Sequence, residues 1–92
     1  MDKTVICEKI LLLGEGERCT LTYYLIADAC GEEAGAPRQY GVGIAIPERS
    51  EEEQIGNITP NREKAMRLID LLASNFVTPV ALRDVLYDWL CM

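Results

Sequence analysis

The sequence predicts an α+β fold: an antiparallel sheet of three or four strands followed by a C-terminal helical hairpin packed on one face. Three observations predict it. Runs rich in β-branched and aromatic residues fill the stretch from Thr4 to Ile58 and are punctuated by glycine, proline and acidic clusters. From Thr59 to Leu90 the apolar residues instead recur at steps of three and four, the period of an amphipathic helix. Thr59-Pro60 and Thr78-Pro79 mark two helix starts within that second stretch. The 92 residues read as a single domain, with strands within about 4–58 and helices over about 60–75 and 79–91.

Thr4 to Leu13 and Arg18 to Ala29 are two strands separated by Gly14-Glu15-Gly16-Glu17, a turn composition. A loop of two or of four residues gives one register, with Leu13 opposite Arg18. Ile6, Ile10, Leu12, Cys19, Leu21 and Leu25 then share the face expected to meet the helices. Val5, Cys7, Leu11, Leu13, Tyr24 and Ile26 fall on the other, mixed face, where they form a candidate interface. Gly31 to Pro37 reads as an acidic connection projecting from the domain. In the third strand, Arg38 to Ile46, bulky Tyr40, Val42, Ile44 and Ile46 alternate with smaller residues. Gly41 and Gly43 on its bare face imply close approach of a helix, an aromatic side chain or a ligand, with helix packing favoured. Pro47 to Glu53 reads as a charged tip before a short edge strand around Gln54 to Ile58, protected from stray pairing by its acidic start.

In the first helix Thr59 is read as the N-cap and Pro60 as the first helical residue. Ala65, Leu68, Ile69, Leu72 and Phe76 gather on one face, and the helix is expected to end near Asn75. The second helix, from Thr78-Pro79, turns Val80 or Ala81, Leu82, Val85, Leu86, Trp89 and Leu90 inward. Arg83, Asp84, Tyr87 and Asp88 are left nearer solvent. Asp84 and Asp88 stand four apart close to the helix C-terminus, where they repel each other and oppose the macrodipole. An ion pair to Arg62, Arg67 or Arg83 would explain them structurally. Otherwise these acids, with Arg83 and Tyr87, present an anionic and aromatic surface to a basic partner.

Composition narrows the chemistry. Fifteen acidic against nine basic residues give a net charge of −6, which repels nucleic acid and anionic lipid. A helix, corner and helix invite comparison with DNA-binding modules, but the outward face of the second helix offers one cation against two anions. No apolar run reaches the roughly 18 residues of a membrane helix, and no signal peptide opens the chain, so a cytoplasmic location is expected. Histidine is absent, and Cys7, Cys19, Cys30 and Cys91 are scattered without a C-x-x-C pair, so buried free thiols are expected and no metal site or cofactor is. Neither Ser50 nor Ser74 has a nucleophile-elbow context, and Gly14-Glu15-Gly16 and Gly41-Val42-Gly43 lack the rest of a dinucleotide fingerprint. No catalytic residue is assigned.

YGVGIAI followed by IGNITPNREKAMRLIDLLASNFVTPVALRDVLYDWL resembles a family of short uncharacterised bacterial proteins, a domain of unknown function found mainly in Gram-positive gut anaerobes. The likeness covers residues 40–90 and is most distinctive at Ile58-Thr59-Pro60, at Val77-Thr78-Pro79-Val80 and at Leu82-Arg83-Asp84-Val85. That family usually carries a histidine just before the leucine of the second helix, where this chain has Ala81. The resemblance implies a bacterial, cytoplasmic protein and no particular activity. The reading that follows is a small non-enzymatic protein-interaction or regulatory module, with a protein partner or a homodimer and with neither nucleic acid nor membrane. The alternative is a small-molecule-binding protein or enzyme with a site near the glycine face of the third strand.

Overall fold

Four antiparallel strands in a simple meander are followed by two helices in the computed structural model, which describes residues 2–29 and 38–91. The strands are β1 (Asp2–Leu12), β2 (Arg18–Ala29), β3 (Arg38–Ile46) and β4 (Glu51–Thr59), and the helices are α1 (Arg62–Ser74) and α2 (Leu82–Leu90). The connection read from Gly31 to Pro37 lies outside the described residues, as does Cys30. This is the predicted α+β class, with the fourth strand longer than expected because Glu51, Glu52 and Glu53 pair with Ile46, Ala45 and Ile44.

The register of the first hairpin differs from the prediction. Leu13 donates its amide to the Glu17 carbonyl (2.8 Å) and Glu17 to that of Gly14 (2.9 Å), which closes a three-residue loop. Gly14, Glu15 and Gly16 all take positive φ, a conformation glycine supplies without steric cost. An odd loop shifts the pairing by one, so Leu12 rather than Leu13 stands opposite Arg18, and the β1 side chains from Cys7 to Leu12 change face relative to β2. A bulge at Ile6 then shifts the register again, and Val5 pairs with Tyr24. Cys19, Leu21, Tyr23 and Leu25 of β2 and Val42, Ile44 and Ile46 of β3 face the helices and are buried with Leu68, Ile69 and Leu72 of α1. Cys7, Leu11 and Leu13 pack partly against this core, contrary to their expected place on the open face.

Asn61, not Thr59, caps α1, accepting from the Lys64 amide at 3.2 Å. Thr59 is held in β4 opposite Tyr40, and its hydroxyl accepts from the Asn61 amide at 3.1 Å, forming the turn before the cap. The helix ends at Asn75 as expected, but Phe76 takes the left-handed conformation, with φ 50°. Val77 donates to Leu72 (3.0 Å) and Phe76 to Ala73 (3.2 Å), the paired bonds of a Schellman motif. The second helix starts later than predicted, because Pro79–Ala81 forms a 3₁₀ turn before α2.

Candidate functional site

The glycine face of β3 is occupied by the protein itself, and the helices lie on the other side of the sheet. A Cβ at Gly43 would overlap the Tyr24 ring, and one at Gly41 would strike the Ile55 carbonyl and the Gly56 Cα where β4 bulges. Tyr24 is buried over Gly43, donates to Gln54 Oε1 (3.2 Å) and lies 5.2 Å from Lys3 Nζ, which in turn pairs with Glu52 (3.6 Å). Burial, reinforced by the negative charge of Glu52, pushes the Tyr24 phenol well above its ordinary pKa. The close approach inferred from these glycines is therefore made by an aromatic ring at one and by backbone at the other. The favoured expectation of helix packing fails because the helices cover the bulky face.

The candidate sheet interface is divided by the register. Val5, Tyr24 and Ile26 lie on the open face, whereas Cys7, Leu11 and Leu13 turn toward the helices. Tyr24 and Ile26 are buried there, while Val5 is exposed together with Ile10 and Leu12, which share its face. Of the thiols, Cys19 is buried, Cys7 is half-buried and Cys91 is exposed, so burial does not hold for all of them. Among the described residues no group of three or more histidine, cysteine, aspartate or glutamate side chains is placed to hold a metal ion. Among the described residues no helix is long and apolar enough to cross a membrane.

The second candidate surface is brought together. Arg83, Asp84, Tyr87 and Asp88 are all exposed on α2. Arg83 pairs with Glu53 of β4 through Nε–Oε2 and Nη2–Oε1 contacts of 3.4 Å, and Arg67 pairs with Glu63 at 3.8 Å. Neither arginine reaches Asp84 or Asp88, and among the described residues no ion pair or side-chain hydrogen bond engages their carboxylates. The internal pairing that would have explained them is absent. The late helix start also changes the status of Asp84, which sits in the first turn, where the macrodipole favours a carboxylate; only Asp88 opposes it.

Two further residues belong to this surface. Leu90, expected to point inward, is 57% exposed, and Tyr87 is 70% exposed. Ile55 of β4 faces them, and together with Arg83 and Leu86 these residues line a shallow groove between α2 and the sheet edge. Val80, in the turn before α2, is 85% exposed, leaving Ala81 as the half-buried member of that pair. Leucine spacing could have identified Leu90: Leu82, Leu86 and Leu90 stand at steps of four, each step drifts about 40° around a helix, and the third leucine is carried off the buried side. Nothing in the sequence marked Ile55.

The model of a family described only as a family of unknown function, DUF6514, matches residues 2–92, so the resemblance read from residues 40–90 extends over nearly the whole chain. No curated protein and no solved structure matches it.

Proposed function

We propose that this chain, which belongs to the DUF6514 family of unknown function, is a small non-enzymatic protein-interaction or regulatory module that makes its contact through the outward side of α2. One observation carries the reading. Apolar and aromatic side chains, Tyr87 and Leu90, stand exposed beside two aspartates that no cation of the described chain neutralises. Folding gains little from Tyr87, Leu90 and Asp88: exposed apolar groups remain hydrated, and Asp88 opposes the macrodipole and repels Asp84 one turn before it. A partner that covers the former and neutralises the latter accounts for both.

The test is affinity capture from the native organism with the unaltered chain and with Asp84→Lys/Asp88→Lys. Loss of specific partners from the variant is expected, and equal recovery by both baits would refute the assignment. A homodimer through the open sheet face is a second reading, supported by exposed Val5, Ile10 and Leu12 on one side of β1. Light scattering at micromolar concentration checks it, and a species of only 10.3 kDa would exclude it.

A further inference from the structure

We infer that β1 pairs with β1 of a second copy, joining two sheets edge to edge in an antiparallel dimer about a two-fold axis at Val5. The inference rests on the homodimer reading, which it deepens by moving the contact from the open face to the edge of the same strand, and it does not involve α2. β1 is an outer strand of the sheet, 11 residues long and without proline or glycine, so its outer side offers a long row of backbone groups that no described strand occupies. β4, the other outer strand, carries Glu51, Glu52 and Glu53 and no basic residue, so no symmetric pairing of β4 offsets its charge.

The charges of β1 select both the second copy and the register. A two-fold axis perpendicular to a continuous sheet sets residues of one face opposite residues of the same face. The bulge at Ile6 brings Lys3, Val5 and Glu8 to the open face, opposite Ile26, Tyr24 and Thr22 of β2, and leaves Asp2 and Lys9 on the other, opposite Ala27 and Leu21. Lys3 and Glu8 therefore stand two ladder positions either side of Val5, and Asp2 and Lys9 stand three. With Val5 opposite its own counterpart, Lys3 meets the partner's Glu8 and Asp2 meets the partner's Lys9, each contact occurring twice by symmetry. Without the extra residue of the bulge, the members of each pair would fall on opposite faces. Centring the axis on Asp2, Lys3, Glu8 or Lys9 opposes like charges, and centring it on Thr4, Cys7 or Ile10 pairs none of the four with an opposite charge. Within one chain Glu8 and Lys9 make no ion pair among the described residues, and Asp2 and Lys3 make only long ones, to Arg38 at 3.9 Å and Glu52 at 3.6 Å.

The test exchanges charge across the junction and is read on the full chain by sedimentation equilibrium at micromolar concentrations. The unaltered chain is expected to form a species of twice 10.3 kDa. Glu8→Lys alone and Lys3→Glu alone set like charges opposite each other, and each is expected to raise the dimer dissociation constant about tenfold. An equimolar mixture of the two restores every opposition in the mixed dimer and is expected to associate as tightly as the unaltered chain. Asp2→Lys and Lys9→Asp, alone and mixed, repeat the test on the other face of the strand. Amide exchange of β1 is expected to slow as concentration rises, with α2 unchanged. A dimer indifferent to these variants, or mixtures no tighter than their components, would overturn the inference and leave a homodimer through the open face standing. Species larger than a dimer would overturn it in favour of a head-to-tail contact. A monomer at every concentration would remove both homodimer readings.

Discussion

Tyr23 and Tyr24 are neighbours in sequence and opposites in the sheet, and each is buried for a different purpose. Tyr23 lies in the core and donates to the Val77 carbonyl at 2.9 Å, tying β2 to the corner after α1, whereas Tyr24 fills the space that Gly43 leaves open. Burial, with a smaller contribution from Cys7, pushes the Tyr23 phenol up to about 12. A phenol whose pKa rises on folding contributes stability that is complete below its unfolded value of 10.0 and is lost as pH climbs through the folded value. Melting temperature is therefore expected to fall above pH 10, with a shallower fall in Tyr23→Phe. At neutral pH the same substitution should cost about 1 to 2 kcal/mol, because it orphans a buried carbonyl. Glu48 has the opposite sign. Its carboxylate accepts from the Thr20 amide (3.0 and 3.1 Å) and hydroxyl (2.9 Å), chiefly through the backbone bond, and its pKa is held below the ordinary value. The melting difference between the unaltered chain and Glu48→Ala is expected to be full at neutral pH and to vanish as pH falls through that lowered pKa. A difference independent of pH would contradict the role of this contact.

At the scale of elements, strand and helix content was legible because side-chain period and punctuation agree, and register was not. A single residue separates a three-residue hairpin loop from the even-numbered alternatives, and composition around Gly14-Glu15-Gly16-Glu17 does not distinguish them. That parity assigned Cys7, Leu11 and Leu13 to the wrong face. The start of α1 was misread for a related reason: Thr59 and Asn61 are both good caps, and pairing of Thr59 with Tyr40 in β4 leaves the position to Asn61. The candidate surface on α2 was half legible. Arg83, Asp84, Tyr87 and Asp88 were recognisable as an outward face from helical period alone, whereas Ile55 joins them only through tertiary packing. These placements separate core from surface in a measurable way. Leu72 is fully buried, and Leu72→Ala is expected to cost about 2 to 5 kcal/mol. Leu90→Ser should change stability by less than about 0.5 kcal/mol by chemical denaturation, since it lies on an exposed position.

Across the whole molecule, the sheet and α1 form the core, while α2 adds Leu82 and Leu86 to it and turns Tyr87 and Leu90 outward. The glycine face, the one place where sequence suggested a small-molecule site, is filled by Tyr24 and by the backbone of β4. On α2, exposed Tyr87 and Leu90 share one helix with Asp84 and Asp88, whose carboxylates no cation among the described residues pairs. The most direct measurement is amide hydrogen exchange of the full chain with and without the partner recovered by capture. Slowed exchange from Leu82 to Leu90 and at Ile55, with the amides of β1 unchanged, is the predicted result. Protection confined to β1 or to the Tyr24 side of the sheet, with α2 exchanging as in the free chain, would contradict it.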